Sequence, residues 1–76
     1  MLAYVLIALK TCDENKVLNN LKQLPEVEEA HVLFGEWDII AKVKVNSTED
    51  LATFMIEKVR TLPEVKLSST MIVAKS

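Results

Sequence analysis

Two hydrophobic rhythms run along this chain, a two-residue alternation and a three-to-four-residue stripe, and they take turns. Leu2 to Leu9 carries Val5, Leu6, Ile7 and Leu9, apolar on both faces, as a central strand requires. Thr11-Cys12-Asp13-Glu14 then reads as a capping box that opens a helix at Thr11. Val17, Leu18, Leu21 and Leu24 fall on one helical stripe, and Pro25 closes the helix near Leu24. A second strand is expected from Val27 to Phe34, with Ala30, Val32 and Phe34 on one face. Gly35, the only glycine, marks a tight turn where a positive φ is needed. The third strand, Trp37 to Val45, alternates most clearly. Trp37, Ile39, Ala41, Val43 and Val45 point one way, and Asp38, Ile40, Lys42 and Lys44 the other. Ser47-Thr48-Glu49-Asp50 opens a second helix by the same capping logic. Its stripe is Leu51, Met55, Val59 and Leu62, flanked by Phe54 and Ile56, and Pro63 ends it. The last strand is expected over Val65 to Ala74. Val65, Leu67, Ser69, Met71 and Val73 would share one face, and Lys66, Ser68, Thr70, Ile72 and Ala74 the other.

The chain nearly repeats itself, since Leu24-Pro25-Glu26-Val27 recurs as Leu62-Pro63-Glu64-Val65, an offset of 38 residues. Two copies are too few for a stacked solenoid, which needs at least three, so an internal βαβ duplication fits better. Right-handed crossovers and a hairpin at Gly35 give a ferredoxin-like βαββαβ fold of the α/β (α+β) class. The antiparallel sheet has order 4-1-3-2, and both helices lie on one face. Residues 1–76 are read as a single domain. The uncovered face is expected to carry Asp38, Ile40, Lys42, Ser68, Thr70 and Ile72. Its mixed character predicts that it packs against a partner sheet in a homodimer, a dimeric α/β sandwich.

Composition sharpens this. Of 76 residues, 50% are hydrophobic, more than so small a core consumes, so some apolar surface is expected between subunits. The single cysteine, Cys12, cannot form an intrachain disulfide. No apolar run approaches the ~20 residues of a membrane span. The start of the chain lacks the basic leader of a signal peptide, so a cytoplasmic location is expected. The formal net charge is −2, with 9 basic and 11 acidic residues and no basic cluster, which disfavours direct contact with nucleic acid or a membrane.

Catalytic chemistry finds little support. His31 is the only histidine and lacks the partners of a triad. Cys12 has no CxxC companion, no spacing resembles a metal site, and one glycine cannot build a phosphate-cradling loop. No cofactor is expected. The informative segment is Phe34-Gly35-Glu36-Trp37-Asp38. Amides at a glycine turn can hold a carboxylate, and the Asp38 carboxylate can hold an ammonium, a pair complementary to a free α-amino acid. The residues alone nevertheless favour a plain hairpin in which Asp38 accepts local backbone bonds. Ser68, Ser69 and Thr70 place three hydroxyls in succession within a strand, where they line a pocket or bond across an interface. Trp37 reads as core or interface.

Three segments together resemble a known family: Leu24-Pro25-Glu26-Val27, Gly35-Glu36-Trp37-Asp38-Ile39-Ile40-Ala41-Lys42-Val43 and Ser69-Thr70-Met71-Ile72. They look like the effector domain, termed RAM, of the Lrp/AsnC transcription regulators, over essentially the whole chain. The resemblance implies amino-acid binding near the Gly35-to-Asp38 turn, at contacts between dimers, and it reverses the preference for a plain hairpin. Gly35, Glu36, Trp37 and Asp38 would supply the main contacts, and Ser68, Ser69 and Thr70 hydroxyls from a neighbouring subunit. It further implies dimers assembled into rings. Full-length members carry an N-terminal helix-turn-helix, and this chain begins at the first strand, so the resemblance is to a stand-alone effector domain. Such a module would co-assemble with full-length regulators without touching DNA itself. Two other readings share the fold: an enzyme of the dimeric α/β-barrel type using His31 or Trp37, and a structural adaptor with no ligand.

Overall fold

A computed structural model describes residues 1–75. Strand β1 (Leu2–Leu9) is followed by helix α1 (Glu14–Lys22), strands β2 (Val27–Val32) and β3 (Ile39–Lys44), helix α2 (Thr48–Phe54) and strand β4 (Val65–Ile72). The sheet order is β2-β3-β1-β4 with every neighbouring pair antiparallel, the ferredoxin-like arrangement expected from the sequence. Strict alternation in β1 sends Ala3, Val5 and Ile7 to the core, and Ile39, Ala41 and Val43 of β3 join them. Val17 and Leu21 of α1 and Leu51 and Phe54 of α2 close over this layer. Each such side chain contributes about 1.5–3 kcal/mol through burial.

The helix termini differ from expectation. Ser47 caps α2 as read, its Oγ accepting from the Asp50 N–H at 3.1 Å. Thr11 does not cap α1. Asp13 holds the cap position without a side-chain cap bond, and the Thr11 hydroxyl donates to Asp13 Oδ2 at 3.2 Å. The cause lies one residue earlier. The Lys10 N–H donates to the Glu64 carbonyl at 2.8 Å, which holds the chain against β4, and residues 11–12 must turn before a helix can start. Helix α2 widens into a π-helical segment, Met55–Val59, with Arg60 N–H donating to the Met55 carbonyl at 2.8 Å. The hairpin at Gly35 is not a tight turn. It is a six-residue loop, Leu33–Asp38, so β2 stops at Val32 and β3 starts at Ile39.

The two Leu-Pro-Glu-Val copies fold alike, bond for bond. Val27 N–H donates to the Leu24 carbonyl and Val65 N–H to the Leu62 carbonyl, both at 3.1 Å. The Glu26 carbonyl accepts from Lys44 N–H and the Glu64 carbonyl from Lys10 N–H, both at 2.8 Å. Each carboxylate meets a lysine from the helical region of the other half: Glu26 with Lys58 at 2.8 Å, Glu64 with Lys16 at 3.1 Å. A register shift accompanies each copy, between Val27 and Glu29 in β2 and opposite Ala8/Leu9 in β4. These bulges put Val27 and Val65 against the core and the residue two further on outward.

That second bulge corrects the expected faces of β4. Strict alternation from Val65 would turn Leu67, Ser69 and Met71 inward. Instead Ile72, Thr70 and Ser68 lie opposite Ala3, Val5 and Ile7, on the helix-covered side. Leu67, Ser69 and Met71 lie opposite Ala8, Leu6 and Tyr4, on the open side. The uncovered face is therefore more apolar than expected on β1 and β4, with Tyr4, Leu6, Ala8, Leu67 and Met71. It becomes polar toward β2, where His31 and Glu29 oppose Ile40 and Lys42.

Candidate functional site

The Leu33–Asp38 loop is held at its base by one residue. Asp38 donates its N–H to the Ile7 carbonyl at 2.9 Å, accepts from Leu33 N–H at 2.8 Å, and through Oδ2 accepts from Leu9 N–H at 2.7 Å. The carboxylate thus satisfies the Leu9 amide, which lies on the β3 side of β1 beyond the last β1–β3 pair, Ile7 with Ile39. The plainer sequence reading, with Asp38 accepting local bonds of the hairpin, is met by its carbonyl; the carboxylate instead bonds an amide 29 residues away, through one oxygen. Among the described residues Oδ1 has no protein partner.

Beyond this base the loop backbone is open. The N–H groups of Phe34, Gly35, Glu36 and Trp37 donate to no carbonyl among the described residues. Gly35 adopts φ +157, and a Cβ there would meet nothing within 4 Å. Glycine is thus required by the backbone path and not by crowding. Free amides beside an anion could take a carboxylate and an ammonium from one small zwitterion. Trp37 is partly buried and lies with Glu36, Ala8, Lys66 and Leu67 around a depression of about 250 Å³ on the open side. Lys66 and Leu67 were not singled out by motif. The bulge after Val65 brings them there, and the recurrence of Leu-Pro-Glu-Val at a fixed offset was the signal available.

The hydroxyl run does not join this loop within the chain. Ser69 faces the open side opposite Leu6, whereas Ser68 and Thr70 face the helices. Thr70 and Ile72 border a groove along α2 and the π-helical segment. The seven expected site residues therefore form two groups, Gly35 to Asp38 in the loop and Ser68 to Thr70 on the β4 edge. His31 lies on the open side, 63% exposed and 3.5 Å from a Glu29 carboxylate oxygen. Cys12 is exposed. Among the described residues no His, Cys, Asp or Glu cluster could hold a metal ion, and no helix is long and apolar enough to cross a membrane.

Each Leu-Pro-Glu-Val turn is clasped to the other half by its ion pair. The Lys58 ammonium donates to Glu26 and holds its carboxyl below the ordinary 4.5, and the Lys16 ammonium does the same for Glu64. Glu64, in turn, raises Lys16 above 10.5.

Comparison with known proteins gives a consistent set of relatives. Residues 2–76 match the family described as Lrp/AsnC ligand binding domain. The HTH-type transcriptional regulator FL11 of Pyrococcus horikoshii is 32% identical over 76 residues, all of this chain and 50% of that protein. Among solved structures, FFRP-DM1 is 40% identical with a TM-score of 0.91, covering 95% of this chain and 96% of its own. Escherichia coli AsnC is 32% identical with a TM-score of 0.93, covering 99% of this chain and 51% of its own. The chain spans about half the length of the curated relatives it matches.

Proposed function

Because the chain belongs to the Lrp/AsnC ligand binding domain family, we propose that it is a non-catalytic effector domain, residues 1–76, that binds a free amino acid and thereby controls transcription regulators. The observation that carries this reading is the Leu33–Asp38 loop, with its free amides beside the spare Oδ1 of a carboxylate fixed in place. Gly35, Glu36 and Trp37 offer amides to the α-carboxylate, and Asp38 receives the α-ammonium. Trp37 and Leu67 border the space for a side chain. A fold neighbour at 18% identity, a transcriptional regulator from Neisseria meningitidis, is described as a complex with L-Met, which supports an amino acid as the ligand class.

Two copies join through their open sheet faces. Tyr4, Leu6, Ala8, Ile40, Leu67 and Met71 supply the apolar centre, and Glu29, His31 and Lys42 the polar rim. Ser69 lies on that face, so a partner subunit can bring a hydroxyl toward the loop. Ser68 and Thr70 reach a ligand only from a contact on the helix side. Dimers associate further into rings, and ligand binding favours the assembly that completes the site. The domain acts in the cytoplasm by co-assembly with full-length regulators, without itself contacting DNA or a membrane.

A thermal-shift screen of the twenty amino acids tests the reading, with Asp38→Asn as the control. That variant keeps an acceptor for Leu9 N–H but removes the charge. At least one amino acid should raise the melting temperature of the wild type and not of Asp38→Asn. Indifference of the wild type to all twenty would favour the ligand-free adaptor instead.

A further inference from the structure

Among the described strands β4 is an edge, with β1 as its one neighbour. Val73 N–H donates to the Leu2 carbonyl at 2.9 Å, and antiparallel pairing alternates back along the strand from there. Leu67, Ser69 and Met71 therefore bond to β1, whereas Ser68 and Thr70 turn their amides away from the sheet. Among the described residues the Ser68 N–H has no acceptor. Beside it lies a depression of about 290 Å³ lined by Arg60, Val65, Lys66, Leu67 and Ser68.

Separate features of the fold bring these residues together. The π-helical segment is wider per turn than an α-helix, and it ends by delivering Arg60 to the β4 side. The bulge leaves Lys66 without a partner on β1, between Val65 opposite Leu9 and Leu67 opposite Ala8. Lys66 thus borders both this edge and the Trp37 depression. Ser68, turned to the helix side by the same bulge, stands apart from the Gly35-to-Asp38 loop. Among the described residues no carboxylate lines the depression, and neither of its two cations forms an ion pair. Lys16, Lys42 and Lys58, by contrast, each have a glutamate partner.

We propose that this edge binds the phosphate group of a small phosphorylated molecule, at a site independent of the amino-acid loop. The Arg60 guanidinium takes two oxygens in its fork, the Lys66 ammonium takes a third, and the Ser68 N–H and hydroxyl add neutral donors. A phosphomonoester carries about −1.5 to −2 at neutral pH, which matches two cations better than one carboxylate does. With a net charge of −2 and no flanking basic cluster, the site suits a small phosphate ester and not a nucleic-acid backbone.

NMR of the full chain tests this, by titration with inorganic phosphate, glycerol phosphate or acetate at fixed ionic strength, so that screening stays constant. Both phosphates should shift the Ser68 amide and the Arg60 Nε–H saturably and leave the Phe34-to-Trp37 amides in place. Arg60→Gln and Lys66→Gln should each weaken binding about tenfold or more, the loss of one charge-assisted bond. Circular dichroism confirms that the variants fold, and Lys66→Arg should retain binding. No saturable shift at Ser68, an equal response to acetate, or a response to inorganic phosphate without one to the ester overturns the proposal. So does an Arg60→Gln protein that binds like the wild type. Absence of phosphate binding beside an intact amino-acid thermal shift overturns this proposal alone, and the converse overturns the effector reading alone.

Discussion

The two halves of the molecule, β1-α1-β2 and β3-α2-β4, return from helix to sheet by the same device and then diverge. In each, Leu-Pro-Glu-Val makes a turn, gives its glutamate carbonyl to an amide from the other half and its carboxylate to a lysine there, and ends in a bulge. Because each half completes the other, the clasps bind them into one unit. Beyond the clasps the likeness ends. After β2 the chain enters the Leu33–Asp38 loop, with Phe34 exposed and four amides open. After the second clasp, β4 presents Leu67 and Ser69 to the outside, where β2 presents Glu29 and His31 at the equivalent positions. The duplicated part ties the halves together, and the loop to which we assign recognition lies where the duplication breaks down.

If the clasps do fuse the halves, a core deletion in either must unfold both. Leu21→Ala in α1 and Leu51→Ala in α2 should each cost about 2–5 kcal/mol, a large fraction of a small domain's stability. Urea unfolding should remain a single transition in both variants. Two separable transitions would break the comparison.

The loop, by contrast, has an anchor with no counterpart in the second half. Asp38→Ala leaves the part-buried Leu9 N–H without its acceptor and should cost about 1–3 kcal/mol in denaturant melts. Asp38→Asn should recover part of that loss. Equal damage from both would assign the carboxylate's charge, and not its hydrogen bond, as the anchor.

The clasps themselves differ in degree. Glu26 and Lys58 have side chains 26% and 37% exposed, and Glu26→Gln should cost at most about 1 kcal/mol. Glu64 is 10% exposed, so Glu64→Gln should lower the melting temperature more than Glu26→Gln. The reverse order would show that burial does not set their weight.

Acid provides the finest test. Both glutamates titrate below 4.5 when folded and near it when unfolded. Their contribution is therefore full above 4.5 and lost as pH falls through the folded values. Stability should hold from neutral pH to about 5 and then decline. The decline should be shallower in the Glu26→Gln, Glu64→Gln double variant. Lys16, raised above 10.5, adds a loss only as pH rises beyond that value.

The strand and helix order, the sheet order and the Ser47 cap were legible in the sequence, because alternation, proline stops and a short capping motif are local signals. The bulges were not. Lys66 interrupts no hydrophobic pattern that can be recognised in isolation, since β4 is semi-apolar on both faces. Register against β1 is what turns Ser68 and Thr70 toward the helices. The Thr11 cap failed for a related reason, a bond from Lys10 to Glu64 across the sheet. At the loop, Gly35 and Asp38 were legible as chemistry, but the bond from Leu9 was not, because it links residues 29 apart in sequence.

The contrast between open loop and closed clasp leads to a single decisive measurement, hydrogen–deuterium exchange with and without the amino acid that gives the largest thermal shift. Binding should slow exchange of the Phe34-to-Trp37 amides in wild type and leave the Leu24-to-Val27 amides unchanged. Protection absent from the loop, or confined to the clasps, would contradict amino-acid recognition by Gly35 to Asp38.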